Sequence, residues 1–409
     1  MYDIIVIGAG ASGLLASCTA ARSGSKVLLL ERNEKVGRKL FITGKGRCNL
    51  TNNCSVEEAL DNIPTGKKFL YSAFNRFSPS DTISLFEHLG VALKTERGGR
   101  VFPVSDKSSD IIDALKKYVR SSGVMLKSAY VAGVKKRGDG YFDVSTIEGV
   151  VSAGAVILAT GGKSYPATGS TGDGYVFAKE LGHSITDLRA SLVPLSSKNT
   201  SCSMMQGLAL KNVKISVYDG GTKPIFSDFG EILFTHFGLS GPLALTASAH
   251  MRDFDNKSYK ILIDLKPALD EKKLDLRILR DFEKFKSRSF SNSLGELFNR
   301  SMIPVIIDKS GIPGDKKVHS VTRDERLALI SLIKAFPIDI EGPRPIEDAI
   351  ITSGGVSLNE INPKTMESKL VKSLYFAGEI IDADAYTGGF NLQIAWSTGY
   401  AAGLAAASN

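Results

Sequence analysis

The residues best placed by type and spacing to do chemistry stand at the start of the chain. Gly8-Ala9-Gly10-Ala11-Ser12-Gly13 follows the short apolar run Tyr2 to Ile7 and precedes an Ala-rich stretch, Leu14 to Ser23. A strand, a glycine turn and a helix in that order make a diphosphate cradle. Gly8 permits the tight turn, Gly10 lets backbone come close to phosphate, and Gly13 lets helix and strand pack. The helix then offers free N–H groups and a partial positive charge. Lys26 to Glu31 reads as a second strand, and Glu31 lies 18 residues beyond Gly13. That is near the usual distance for a carboxylate accepting from ribose hydroxyls. The plainer alternative is an ordinary βαβ unit with a glycine turn.

The continuation favours a long, extended cofactor over NAD. Residues 32–39 are polar, and a glycine- and base-rich loop follows, with Gly44-Lys45-Gly46-Arg47-Cys48-Asn49 inside it. Arg38 and Lys39 can neutralise phosphate; Lys45 and Arg47 can face phosphate or substrate. Val151 to Leu158 reads as a strand ending in the small-residue turn Ala159-Thr160-Gly161-Gly162. Leu374 to Phe376 leads into Ala377-Gly378-Glu379, where Glu379 can accept from a ribityl hydroxyl. Gly388-Gly389-Phe390-Asn391-Leu392-Gln393 then opens a helix over Ile394 to Ala407. Its N-terminus can stabilise the negative charge of a reduced flavin. Three distant segments therefore converge on FAD.

Proton donors are fewer. A reduction by hydride transfer needs a docked substrate and one acid. Cys48 stands beside Lys45 and Arg47, which predicts a depressed thiol pKa. A small packing residue is the other reading of Cys48, and Tyr386 is the rival donor. The five histidines are scattered, with His236 in a glycine-punctuated loop the best of them for a substrate-side role. There is no GxSxG and no HExxH, so hydrolase readings lack support. The four cysteines form no CxxC pair, and no Cys/His cluster has zinc spacing, so no metal is expected. Gly169 to Gly174 is glycine-rich, but Ser170, Thr171 and Asp173 read as a polar loop on the flavin or substrate side. With no second strand-led fingerprint, NAD(P)H is expected to dock transiently as electron donor.

These segments resemble the bacterial BaiN/RdsA (YhiN-like, aminoacetone oxidase-like) family of FAD-dependent oxidoreductases. The resemblance is carried by the first glycine loop, Thr43 to Asn52, Gly99 to Pro103, Ala159 to Gly162, Thr168 to Gly174, Thr352 to Val356, and Ala377 to Glu379 with Gly388 to Asn391. It spans the whole chain. It implies an α/β fold: a Rossmann-type FAD-binding domain, a three-layer unit with a parallel sheet built from both chain ends, with a β-rich, barrel-like insertion and a small helical domain. It implies cofactor contacts from Gly8, Gly10, Ala11, Ser12, Gly13, Glu31, Arg32, Arg38, Lys39, Thr43, Gly44, Gly46, Arg47, Cys48 and Asn49. Val131, Thr160, Gly161, Gly162, Gly378, Glu379, Gly388, Gly389, Phe390, Asn391 and Leu392 complete that set. It also implies reduction of an activated C=C bond, with members tied to dihydrouridine in large-subunit ribosomal RNA and others to bile-acid or small-amine chemistry.

The elements that must position these groups follow from composition. In 409 residues, 43% are hydrophobic and 23% charged, enough apolar content for a sizeable core. The expected division is 1–190 with 341–409 for the FAD domain, 191–265 with about 327–340 for the β-rich insertion, and 266–326 for the helical domain. Val213 to Tyr218, Ile232 to Thr235 and Ile261 to Leu265 read as strands of the insertion. Lys266 to Arg300 carries nine Lys/Arg and six Asp/Glu at helical spacing. That predicts an amphipathic helix whose charged face is either solvated or an RNA contact.

Lys and Arg exceed Asp and Glu by 51 to 43, for a net charge of +8. Such a surplus attracts phosphates. No apolar run of about 18 residues and no basic leader is present, so a soluble cytoplasmic protein is expected. Three activities fit: a uridine reductase acting on ribosomal RNA, a small-molecule flavin oxidase or ene-reductase, and a flavin-bearing RNA-binding factor without turnover.

Overall fold

A computed structural model describes residues 1–408. The chain divides into two compact units, Met1–Ser191 with Ile346–Asn409, and Leu192–Pro345.

The first unit is built on a seven-stranded sheet. Strand Tyr2–Ile7 lies between Val27–Glu31 and Gly149–Leu158, both parallel to it. Met125–Ser128 extends the sheet beyond Val27–Glu31, again parallel. Gly149–Leu158 is long enough to serve two neighbours on its other side. Its first half pairs antiparallel with Phe142–Thr146, which pairs in turn with Val131–Lys136. Its second half pairs parallel with Leu374–Phe376, so the C-terminal segment completes the same sheet. The central strands are apolar throughout because both faces are covered.

Two helices cover one face. Ala11–Arg22 and Phe390–Ala407 pack so closely that a Cβ at Gly399 would lie 2.5 Å from Ser12 O, and one at Gly403 2.3 Å from Ala16 O. The pairing advances four residues on both helices together, so they run parallel and both N-termini point the same way. The last helix begins nine residues before Gly399, the first only one before Ser12. At ~1.5 Å per residue, the last helix projects about 12 Å further.

Local expectations shift at several ends. The first helix begins at Ala11 rather than Leu14, and the last at Phe390 rather than Ile394. The expected loop after Glu31 contains a helix, Arg38–Gly46, broken where Thr43 turns extended and Gly44 and Lys45 adopt positive φ.

The second unit is a seven-stranded antiparallel sheet. Its order is Phe336–Ile340, Tyr259–Asp264, Ala209–Tyr218, Phe226–Thr235, Gly238–Ser240, Leu195–Ser196, Gly342–Pro343. The amphipathic stretch gives one helix, Glu271–Lys284, capped by Asp270 Oδ1 accepting from Lys273 N at 2.8 Å. It ends at Phe285 and is followed by short turns, not by a helix to Arg300. The expectation of a separate helical domain over 266–326 is corrected. Leu274, Ile278 and Phe282, one turn apart, share a single core with Val213, Ile215 and Val217 of the sheet. The sheet has an apolar face that must be buried, and these helices cover it.

Candidate functional site

The parallel register decides which turns meet. Ile7 is level with Leu30 and Leu158, and Leu158 with Phe376. Gly8, Glu31, Ala159 and Ala377 therefore emerge side by side at the carboxyl ends of adjacent strands. In open parallel sheets this edge is where ligands bind.

The first glycine loop has two kinds of glycine. Gly8 has φ +103° and a Cβ there would meet Ala159 O at 2.5 Å; a Cβ at Gly13 would lie 1.8 Å from Gly8 O. Both are required by the protein's own packing. Gly10, at the N-cap of the first helix, has ordinary extended backbone and nothing within 4 Å of its Cβ position. No side chain caps this helix or the last one, whose N-cap is Gly389. Ser12 Oγ donates to Ala377 O at 3.2 Å and ties the two chain ends. Ala11 is the first helical residue beneath them.

Glu31 is buried. Its Oε2 accepts from Ala9 N at 2.8 Å and its Oε1 from Asn33 N and Nδ2 at 2.9 and 2.7 Å. The carboxylate thus shapes the loop itself, with lone pairs left for further donors. Thr160 Oγ1 is buried at the same edge without a hydrogen-bond partner. An orphaned hydroxyl costs about 1–3 kcal/mol of desolvation unless something answers it. The open space at Gly10, the uncapped helix and this hydroxyl together fit a dinucleotide diphosphate, and the further reach of the last helix fits the length of FAD.

The cations are placed differently from the sequence reading. Arg32 bonds Thr171 Oγ1 at 2.5 Å and Asp173 at 3.0 Å, so this part of the Gly169–Gly174 loop is a partner for Arg32. Arg38 donates to Asn33 Oδ1. Lys39 Nζ lies 2.6 Å from Glu379 Oε2 and 2.7 Å from Ser164 Oγ. Glu379 Oε1 also accepts from Ser164 Oγ and Thr352 N, so both of its oxygens are engaged within the fold. Gly162 lies against this network, with Thr352 Oγ1 2.4 Å and Glu379 Oε1 2.9 Å from its Cβ position. Gly161 at φ +75° and Gly378 at φ +78° make the two turns. Val131 starts its strand buried in the apolar core.

Arg47 is a strut. It pairs with Glu96 at 2.8 Å and Asp106 at 3.1 Å and covers the Phe102 ring at 4.1 Å. Arg47 holds the Glu96 carboxyl below its usual range, and Lys94, 2.7 Å from Asp106 Oδ2, together with Arg47 does the same for Asp106. Their stabilisation is present above the unfolded carboxyl values, roughly pH 4, and is lost as pH falls through the lower folded values. Arg47→Ala should therefore lower the melting temperature slightly at pH 7 and low salt, less at high salt, and progressively less as pH falls below the unfolded carboxyl range. An equal loss at every pH would mean that packing, not charge, holds the strut.

Of the two readings of Cys48, its burial fits the packing residue, and the depressed thiol pKa expected beside Lys45 and Arg47 is not found. It is fully buried, and desolvation pushes its thiol up to about 12, against a weaker opposing bond to Thr43. Arg47 is committed to carboxylates, so the expected cation effect is cancelled. At pH 8 an alkylating agent should label half-buried Cys54 first, though burial and then Glu58 push that thiol to about 11. Mass spectrometry of the native protein should find Cys48 unmodified; rapid Cys48 labelling would contradict its burial.

The segment Asn49–Asn52 is fastened onto the start of the last helix. The Asn49 amide, in the orientation its neighbours require, accepts from Gly389 N at 3.0 Å and donates to Thr51 O at 3.2 Å. Asn52 Nδ2 donates to Gly388 O, and Trp396 Nε1 to Leu50 O. A Cβ at Gly389 would lie 2.4 Å from Thr51 O, and one at Gly44 2.8 Å from Asn49 N. Thr43 Oγ1 returns to Leu40 O, and Gly46 has φ +82°. Asn391 exchanges two bonds with the Ala385 backbone and so shapes the turn carrying half-buried Tyr386. Phe390 is buried and Leu392 half-buried against the core. Sequence reasoning missed Thr51, Thr82, Gln393 and Trp396. The one available signal was Gln393, an amide in the first turn of an Ala/Gly-rich helix.

Among the described residues no group of three or more His, Cys, Asp or Glu side chains is placed to hold a metal ion. No helix among them is long and apolar enough to cross a membrane.

The family model described as "HI0933-like protein Rossmann domain" matches residues 2–405. The 3-dehydro-bile acid delta(4,6)-reductase of Clostridium scindens is 31% identical over all of this chain and 99% of its own length. The ribosomal RNA dihydrouridine synthase of Escherichia coli K12 is 31% identical over 98% of this chain and 96% of its own. Among solved structures, the 3-ketosteroid-delta4-(5alpha)-dehydrogenase of Rhodococcus jostii RHA1 aligns with 100% of this chain and 97% of its own, at TM-score 0.54 and 15% identity. That last likeness speaks to the fold.

Proposed function

The chain belongs to the HI0933-like Rossmann family, a family of flavin-dependent oxidoreductases, and from that premise we propose that it reduces an activated C=C bond, with uridine in ribosomal RNA as substrate. The observation that carries the cofactor part is the pair of parallel, uncapped helices, one reaching about 12 Å beyond the other.

FAD, if bound here, would supply the hydride chemistry, with NAD(P)H as the proposed transient electron donor. The chain's residues do the rest. The first helix turns its free N–H groups toward the diphosphate, with Gly10 leaving it room. The N-terminus at Phe390 offers partial positive charge that would stabilise the negative charge of a reduced flavin held there. Lys39 ties the helix Arg38–Gly46 to Glu379, just beyond the strand Leu374–Phe376. Half-buried Tyr386, rather than wholly buried Cys48, is the proton donor this reading assigns to the second carbon.

Two relatives with equal identity are named for reducing different substrates. Both names describe a reduction, of a dehydro bile acid in one and to a dihydrouridine in the other. A surplus of eight positive charges favours the polyanion, through counterion release. The Clostridium scindens relative supports the second reading, an enone reductase acting on a small steroid-like acid.

The purified protein should be yellow and should bleach anaerobically with NADPH or NADH. Mass spectrometry of ribosomal RNA from a deletion strain should show dihydrouridine lost from the large subunit. An unchanged level, with turnover of small enones by the pure protein, would decide for the second reading.

A further inference from the structure

Gln393 is wholly buried, one turn inside the last helix. Every hydrogen-bonding position of its amide is used. Oε1 accepts from Thr51 Oγ1 at 2.6 Å and Thr82 Oγ1 at 2.8 Å. Nε2 donates to Phe77 O and Ser397 Oγ, both at 3.0 Å. These partners come from four places: strand Thr51–Asn52, helix Pro79–His88, the residue ending helix Lys67–Arg76, and the last helix itself. Thr51 and Thr82 are also fully buried.

Apolar contacts alone tolerate sliding; a saturated amide does not, because any shift leaves buried donors or acceptors unpaired. The last helix is held sideways by Gly399 and Gly403, but smooth glycine faces fix its depth poorly. Gln393 fixes that depth from inside the helix, alongside the Trp396 bond to Leu50 O and the bonds of Asn49 and Asn52 to Gly389 and Gly388, and with it how far the N-terminal N–H groups stand from the Asn49–Asn52 segment.

We infer that Gln393 is a positioning residue that sets the reduction potential of the bound flavin by locking the axial register of the last helix. It touches no cofactor and acts through the Phe390 N-terminus. The inference rests on the flavin reading above.

The test is the midpoint potential of flavin-loaded protein, measured with thermal stability. Gln393→Leu should move the reduction equilibrium three- to tenfold toward oxidised flavin, roughly 15–30 mV downward for a two-electron couple. It should also melt earlier, since the Thr51 hydroxyl loses its acceptor and the Thr82 hydroxyl keeps only Ser78 O at 3.2 Å. The combined variant Thr51→Val, Thr82→Val, Gln393→Met leaves Phe77 O paired with Ser397 Oγ, 2.7 Å away. It should regain stability while keeping the lowered potential, and it carries the test if Gln393→Leu does not fold. A parental or raised potential in a variant that folds and binds flavin overturns the inference and leaves Gln393 a packing residue. Colourless parent protein would instead sink the flavin reading itself.

Discussion

Replacing Gly10 by alanine is expected to leave the fold intact and weaken FAD binding ten- to a hundredfold. The backbone at Gly10 is extended, with φ −81° and ψ −168°, a conformation alanine adopts freely. Its Cβ would meet nothing within 4 Å. The protein has no reason of its own for glycine there, so the space belongs to the ligand. Crowding a tight contact by one methyl costs roughly 1–3 kcal/mol, or about one to two powers of ten in affinity. Gly13→Ala is the contrasting variant. Its Cβ would stand 1.8 Å from Gly8 O, which no side-chain adjustment relieves. That variant should lose flavin and melt far earlier, or fail to fold. Flavin titration of the apoproteins beside thermal melts separates the two. If Gly10→Ala binds flavin as tightly as the parent, the diphosphate does not lie on this loop.

Gly403→Val is expected to destabilise the first unit by more than about 3 kcal/mol. The Cβ position at Gly403 is 2.3 Å from Ala16 O, a backbone atom of a helix that is itself locked by Ser12 and Gly13. Neither helix can retreat, because the central strands fill the opposite side. Gly133→Ala, with open space around it and no positive φ, should change stability by less than about 0.5 kcal/mol. Denaturant unfolding compares them. A mild Gly403→Val would show that the helix pair adapts, and would weaken the argument that its fixed geometry projects the second N-terminus beyond the first.

Depth of the last helix and width of the Gly10 gap are linked through one contact surface. The first helix N-terminus and the last are presented by the same pair of parallel helices, so a change at Gly403 should also lower flavin affinity. Gly10→Ala, by contrast, should not touch stability.

The short-range features were legible in the sequence. A strand, a glycine turn, a helix and an acid-ended strand are each written within a few residues, where backbone sterics and periodicity decide. The carboxyl-edge meeting of residues 8, 31, 159 and 377 follows once those strands are parallel. Charge partnerships and burial were not legible. Arg47 lies 49 positions from Glu96 and 59 from Asp106, and no spacing rule reaches that far. Cys48 looked activated because its sequence neighbours are cationic, yet the turn at Thr43 to Lys45 sends the thiol inward, where desolvation wins. Gln393 and Thr51 are 342 positions apart and meet only because both chain ends enter one sheet. Local geometry thus told which cofactor chemistry the chain is built around. Only the closed tertiary structure, by deciding which polar groups lose water and which find partners, told which side chains remain available for it.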